Sequence, residues 1–566
     1  MPQVTPPGLQ AIADLVRSDP GLKANIGPAD IEGGAAAAEL MNGVITTAIT
    51  ALGVNADNKI TPDELRSISD YIRADTALYD TFVEGHGDDE GNEETGFHLA
   101  QGDGGAYQFQ GRNFIDTVAD AIYHVGFEYR DGRFRNEDGN ENEAVDDVAG
   151  WLNYFLNGEN RVYGTDGSET LHSGQYSFDL EEANHEIFEA GGGDDSVWAG
   201  IGNDTVFGGA GNDVAGGDLG NDVMHGEGGN DSLWGDEGND ILMGEDGNDN
   251  LGGGTGNDEA YGGVGLDTIW GEEGQDLIKA GNDDDVAGGG IGRDTVRGQD
   301  GDDRVHGNEG NDLVDGGTGD DFVSGGMGAD TLLGGLGNDT IYGEDGKDLM
   351  KGHDGADLMG GGKGEDTMSG GQGDDTLYGE EGRDMLKAGQ GRDTASGGAG
   401  DDTVLGGSGD DKLIGGTGAD LIKGQAGNDE LFGEDGKDVM QGNAGNDTLT
   451  GGEGVDRMIG GTGADLMLDW EDTDAADIFV FHAGDSGVGE AARDEVRGFD
   501  SGIDRIDLSS YGGLRFEGDG SFAGGGQASV MFADNLVQID ADGNGAADAE
   551  IFLTWVNEVQ QGDFIL

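Results

Sequence analysis

The chain has no cysteine, and past Pro62 it has no proline. The first absence removes any disulfide framework or thiolate metal site and leaves an oxidising destination neither shown nor excluded. The second means that nothing after Pro62 interrupts a backbone hydrogen-bond ladder. Positive charge is scarce: 28 Lys and Arg face 118 Asp and Glu, a formal charge of −90. Such a chain repels phosphate, which argues against nucleic acid, and calls for a basic partner or a large load of cations. Aromatics are 7% of residues and mean hydropathy is −0.50, values that lean toward disorder unless a ligand is supplied. No run of about 18 apolar residues occurs, so neither a transmembrane helix nor membrane insertion is expected. The opening MPQVTPPGLQAIADLVRSDPGLKAN has no basic segment leading into an apolar run, so no Sec signal peptide is expected.

Catalytic signatures are also missing. There is no HExxH, as a zinc protease needs, and no GxSxG elbow. His86, His98 and His124 are scattered and read as ordinary surface or core histidines. GDSG at Gly484–Gly487 looks like a serine nucleophile loop but has no His and Asp in matching contexts. The acidic run Gly87–Gly96 reads as a solvated loop, and Phe97, Tyr107, Phe109 and Phe114 as a small core.

What the chain has is glycine, 119 residues of it, and a period. Over residues 190–468 it divides into 31 blocks of nine without insertion or deletion. The sixth residue of every block is Asp. The fourth is Gly in 30 of the 31, Asp283 being the exception, and the eighth is apolar in all of them, from Val197 to Met467. Glycines at positions one, two and four permit left-handed backbone and close approach, as a tight turn needs. The last three residues read as a short strand with one side chain inward. One turn and one strand cannot close a coil, but two of each can. Eighteen residues therefore make one coil of a parallel solenoid, expected to be about 70–75 Å long at the usual strand spacing.

In that geometry alternate blocks stack, and their aspartates form two edges. One edge carries Asp195, Asp213, Asp231, Asp249, Asp267, Asp285, Asp303, Asp321, Asp339, Asp357, Asp375, Asp393, Asp411, Asp429, Asp447 and Asp465. The other carries Asp204, Asp222, Asp240, Asp258, Asp276, Asp294, Asp312, Asp330, Asp348, Asp366, Asp384, Asp402, Asp420, Asp438 and Asp456. Stacked carboxylates repel unless a cation lies between them. Turn carbonyls supply further oxygens, and a flexible all-oxygen cage suits Ca²⁺ better than Mg²⁺. The array has room for up to about 29 ions at one per pair of stacked turns. One inward apolar residue per nine is too little to offset the ordering of the backbone, so metal binding is expected to drive folding.

The glycine-rich nonapeptide with Asp sixth resembles the repeat of the RTX (repeat-in-toxin, haemolysin-type calcium-binding) family, across about half of the chain. The resemblance implies a mainly β fold, a parallel β-roll of two nonapeptides per coil. It also implies Ca²⁺ held between alternate turns by the sixth-position aspartates and carbonyls from positions one, two and four. After Leu468 the glycine rhythm stops. DIFVF (Asp477–Phe481) and DEVRGFDSGIDRIDLSS (Asp494–Ser510) alternate like antiparallel strands. This region resembles the cap and secretion region of serralysin-type proteins at Phe479, Phe481, Phe499, Asp500, Gly502, Asp504, Ile506, Asp507 and Leu508. The ending DFIL, Asp563 and three apolar residues, looks like the uncleaved signal read by type I exporters. DADGNG (Asp540–Gly545) reads equally as a calcium loop or a hairpin turn.

Residues 1–160 have ordinary composition and read as a helical, EF-hand-like domain. One loop frame runs Gly53–Glu64, with Asn55, Asp57 and Ile60 in place but Gly53 where Asp is usual and Asn58 where Gly is usual. The other runs from Asp138 through Asn140, Asn142, Val145 and Asp146, and breaks at Ala149. Each loop offers room for one more Ca²⁺ or a plain polar turn. The organisation expected is residues 1–160 helical, 161–189 a degenerate repeat (Glu169 in the Asp place) and insertion, 190–468 β-roll, and 469–566 β cap with secretion signal.

These readings converge on a secreted, extracellular calcium-binding protein with a structural, surface, matrix or adhesion role. Its partners would be Ca²⁺, a type I exporter and a cell-surface or matrix component. The alternative is a secreted enzyme with an unfamiliar catalytic site in residues 1–160. A pore-forming cytolysin would need long apolar helices; Ala35–Val54 comes nearest and is interrupted by Glu39 and Asn42.

Overall fold

The computed structural model describes residues 128–130, 133–135, 160–164, 167–172, 185–470, 475–518, 522 and 526–566. The chain divides into two compact units, Met1–Leu242 and Met243–Leu566. The helical, EF-hand-like domain expected for residues 1–160, with its loops at Gly53–Glu64 and from Asp138 to Ala149, lies outside the described residues. Within that span the antiparallel pair Glu128–Arg130 and Arg133–Arg135 is described.

Each unit is built as a parallel β-solenoid. In the first, Asn160–Tyr163, Glu186–Gly192, Thr205–Ala210 and Val223–Gly228 pair in order in one sheet. Thr170–His172, Ser196–Trp198, Val214–Gly216 and Ser232–Glu237 pair in the other. In the second unit, strands again pair with the strand one coil, or 18 residues, away: Leu421 lies opposite Val439, and Leu431 opposite Leu449. The coil of two nonapeptides is therefore as the spacing predicts. Its core is the eighth position, where Leu413, Ile422, Leu431, Met440 and Leu449 are fully buried between the two sheets. Residues seven and nine point outward, as strand alternation requires.

The strands are longer than the three residues expected. Leu421–Ala426 runs from position seven of one block to position three of the next, and Glu430–Gly436 extends one residue further. The left-handed residue lies inside this run, at position two, and it is often not glycine. Gln425, Glu434 and Asn443 have φ of 80°, 71° and 77°. Position one is not left-handed. Its glycine is required by space, as described below. Position four meets both demands: Gly427 has φ 142°, and a Cβ there would run into the Gly409 carbonyl of the preceding coil.

The segment after Leu468 corrects the antiparallel reading. Ile478–Val480 pairs parallel with Arg457–Thr462, and Asp494–Arg497 parallel with Leu466–Leu468. Arg505–Asp507 then pairs parallel with Ile478–Val480. These strands continue the solenoid, with Phe479, Val496 and Ile506 fully buried in the role of position eight. Alternation alone does not distinguish a hairpin from a coil, and here the connections are long enough for parallel crossovers. Antiparallel pairing begins only at the meander Ser529–Ala533, Leu536–Asp540 and Ala549–Thr554, whose last strand pairs with Asp494–Arg497. Phe564–Ile565 closes the other sheet against Arg505–Asp507.

Candidate metal centre

The turn at positions four to six delivers each aspartate to the inside of the coil edge. Asp429 is 1% exposed. Its Oδ1 accepts the backbone N–H of Asp411 at 2.9 Å, and its own N–H donates to Oδ1 of Asp447 at 2.8 Å. Asp420 does the same between Asp402 and Asp438, at 2.8 and 2.9 Å. The chain of contacts thus runs between blocks 18 residues apart and produces two separate aspartate ladders. The carbonyl of Asp429 ties its turn to the next coil by accepting the N–H of Thr448.

The second oxygen is the informative one. Oδ2 of Asp420, Asp429 and Asp447 is buried and has no hydrogen-bond partner, and so are Oδ2 of Asp195, Asp285, Asp366, Asp411 and Asp465. Burial pushes the Asp429 carboxyl from an ordinary 3.8 to about 6, against the lowering effect of the Asp411 N–H. Asp447 rises to about 7, again through burial, with repulsion from Asp465 and Asp429 added. Asp285 reaches about 8 by the same causes. A buried carboxylate oxygen without a partner is costly unless a proton or a cation meets it.

Position one shows where that cation has room. A Cβ on Gly415 would lie 2.5 Å from Oδ2 of Asp420 and 2.9 Å from the Gly433 carbonyl oxygen one coil on. On Gly406 it would lie 2.8 Å from the Gly424 carbonyl oxygen, beside Oδ2 of Asp411. The space left by the missing Cβ is lined by hard oxygens, a donor set that fits Ca²⁺. Ala280 and Ala388 occupy position one in two blocks of the second unit, so the demand for glycine there is graded.

Several participants lie outside the unbroken nine-residue frame: Gly489 and Gly498 flank Asp494 but position four is Ala492, Asp504 keeps only Gly502, and Asp477 has no framing glycine. Asp494 accepts the Asp465 N–H at 2.9 Å although 29 residues separate them, and its buried Oδ2 has no partner. Asp477 accepts from Asp456, and Asp504 from Asp477. In the first unit, Glu169 and Glu186 stand in the ladder position and donate their N–H to Asp195 and Asp204. The signal that finds the three cap residues is the triplet Asp-x-apolar: Asp477-Ile478-Phe479, Asp494-Glu495-Val496 and Asp504-Arg505-Ile506. A second ladder, at position five, runs the opposite way: the Asn428 N–H donates to Asp410 and the Asn446 N–H to Asn428, each 18 residues back. It lies on the surface and mixes Asn and Asp with Ala, Arg and Lys, which hides it in the sequence.

In the cap, Asp540–Gly545 forms the connection between the antiparallel strands Leu536–Asp540 and Ala549–Thr554. Carboxylate oxygens of Asp540, Asp542 and Asp548 lie within 4.8 Å of one another. Those of Asp540 already accept N–H groups from Gly543, Asn544 and Gly545. The Ser486 hydroxyl of GDSG donates to the Glu550 carbonyl at 2.6 Å and accepts the Asp494 N–H at 2.9 Å. It ties the cap together.

No curated protein matches the chain. Among solved structures, the solution structure of the AlgE6R3 subunit from the Azotobacter vinelandii mannuronan C5-epimerase is 26% identical, covering 29% of this chain and 78% of that one, with a TM-score of 0.15. The RTX calcium-binding nonapeptide repeat (four copies) matches in nine stretches, the last four overlapping, that together span residues 183–467. With the coil, the paired ladders and the oxygen-lined spaces between them, this places the chain in the RTX calcium-binding repeat family.

Proposed function

We propose that the chain is a secreted protein whose β-roll folds on binding Ca²⁺ outside the cell and then serves as a structural surface, matrix or adhesion component. The observation that carries this reading is the row of buried Oδ2 atoms without partners, set against a formal charge of −90. Asp195 to Asp465 at position six would hold the ions, with position-one carbonyls as further ligands and Asp494 extending one edge into the cap. The bound ion neutralises facing carboxylates and replaces their lost solvation. The chain's own parts do the rest. Backbone N–H groups fix each Oδ1, glycines leave room for the ion, and position eight supplies a thin core. The low calcium of a cell interior would keep the array unfolded for a type I exporter, with DFIL as the export signal.

The test is a calcium titration of the whole chain followed by circular dichroism. β signal should appear with calcium and disappear with a strong chelator. β signal indifferent to chelation would overturn the reading.

A further inference from the structure

The outward surface of one sheet in the second unit carries a pattern that the aspartate ladder does not use. At position nine, from Trp270 to Ser396, large and small residues alternate between registered neighbours; the alternation ends where Ile414 lies opposite Phe432. Trp270 pairs with Gly288 and Gly288 with His306; further along, Tyr342 pairs with Gly360 and Gly360 with Tyr378. Ser324 takes the place of glycine between His306 and Tyr342. Position two alternates in step, Glu344 opposite Gly362 and Gly362 opposite Glu380.

The Trp270 and Tyr342 rings lie against the glycine of the following coil, whereas His306 and Tyr378 are followed by Ser324 and Ser396. A Cβ on Gly288 would sit 2.6 Å from Cε3 of Trp270, and one on Gly360 would sit 3.0 Å from Cδ1 of Tyr342. From the other side, the Asn308 amide and the Glu380 carboxylate approach the same two points to 3.2 and 3.6 Å. Gly288 and Gly360 are buried, yet Trp270, Tyr342 and Tyr378 stay 40%, 36% and 44% exposed. Covering glycine uses one side of a ring; the other is left to solvent. The first unit holds the same motif by itself, with Gly216 between Trp198 and Trp234. The second sheet of the second unit does not. Its position nine carries Lys279, Arg297, Lys351, Lys387 and Lys423, and its one ring there, Tyr261, has the Lys279 ammonium over it.

We propose that this aromatic face binds an extended, uncharged, β-1,4-linked glycan lying across the strands. Neighbouring strands are about 4.8 Å apart, so the rings recur about every 9.6 Å. That is comparable to the advance of one disaccharide in such a glycan, in which every second sugar presents the same face. Sugar C–H groups stack on an exposed ring, and the carboxylates of Glu344 and Glu380 accept from hydroxyls beside it. The same acids, on a chain of −90, repel uronate or sulfated polymers. They also repel a second copy of this face, which would bring acid against acid.

The experiment uses the calcium-loaded full chain. Calorimetry with cellohexaose and chitohexaose, and co-sedimentation with cellulose and chitin, should show binding, with none to polyguluronate. Replacing two rings (Tyr342→Ala with Tyr378→Ala) should weaken binding roughly tenfold, the scale set by two lost stacking contacts. Glu344→Gln with Glu380→Gln should weaken it less, and Lys351→Ala with Lys387→Ala on the opposite sheet should leave it unchanged. Calcium stoichiometry and circular dichroism on every variant separate a lost face from a lost fold. Four results would overturn the proposal: a calcium-loaded chain that binds no neutral glycan, binding that survives loss of the rings, preference for the polyanion, or ring-dependent self-association in place of glycan binding.

Discussion

The two oxygens of Asp429 have different jobs. Oδ1 is a structural acceptor for the neighbouring coil, and Oδ2, buried without a hydrogen-bond partner, is the oxygen that would meet the ion in the proposed reading. Asp429→Ala should therefore remove about two bound ions, those shared with Asp411 and Asp447, because one carboxylate serves the turns on both sides. Calcium stoichiometry with hydrogen exchange checks this. Protection should fall around Asp411 and Asp447 and hold around Asp420 and Asp438. Asn428→Ala, one residue away on the surface ladder, should keep every ion and cost about 0.5–1 kcal/mol for the lost acceptor of the Asn446 N–H. The raised carboxyls also set a pH dependence with opposite signs in the two states. In the calcium-free fold Asp429 and Asp447 titrate near 6 and 7, against 3.8 when unfolded. The folded state then holds more protons. Its stability is greatest below about 4 and is lost as pH rises through 6 to 7. Without calcium, the β signal should therefore be stronger at pH 5 than at pH 8. With calcium, protons compete for the same oxygen, so the calcium midpoint should rise as pH falls from 8 to 5. The sixth-position aspartates and their 18-residue partners were legible in the sequence because one residue type repeats without exception. Asp494 was not, because it falls out of the nine-residue register, 29 residues after Asp465, and has Ala492 where position four calls for glycine, although Gly489 and Gly498 flank it.

A strand here is held by one inward side chain and by its neighbours' backbone. Ile422, fully buried, lies between registered neighbours Val404 and Met440. Ile422→Ala should cost about 2–4 kcal/mol, read as local loss of exchange protection, since the thin core has little with which to fill a cavity. Gly415→Val tests the space at position one without changing charge. Its side chain would meet Oδ2 of Asp420 and the Gly433 carbonyl, so calcium binding on that edge should weaken while the other edge keeps its ions. The coil and its inward face could be read from period and apolar phase. Strand length could not, because the left-handed residue at position two lies within the strand. Glu434 there looks like turn chemistry, and only the backbone shows that pairing with Gly416 and Gly452 continues through it. The cap strands are ambiguous in the sequence for a related reason: Asp477–Phe481 alternates equally well in a hairpin and in a coil.

At the scale of the whole molecule, charge dominates. A chain with 118 acidic and 28 basic side chains repels itself wherever that charge is not neutralised. The C-terminus adds a second dependence. Asp563 accepts the Ser501 hydroxyl at 2.7 Å and the Gly502 N–H at 3.0 Å, and Phe564–Ile565 is a strand of the cap. Deleting Asp563–Leu566 should retain the protein in the producing cell if DFIL is the export signal. The purified truncation should still gain β signal with calcium but lose protection around Arg505–Asp507. Normal secretion of the truncation would remove DFIL from the export reading.

The alternation of rings and glycines at position nine has one more consequence, for folding errors. In a strictly uniform solenoid a strand could skip its neighbour, loop out 18 residues and pair equally well with the next, and nothing local would report the slip. Here that slip would set Trp270 against His306 where it needs the bare backbone of Gly288, and Tyr342 against Tyr378 where it needs Gly360. Crowded rings would make the misaligned pairing worse than the native one. A silent slip would have to loop out 36 residues, a larger and entropically costlier excursion. The alternation thus acts as a proofreading mark along an otherwise repetitive chain.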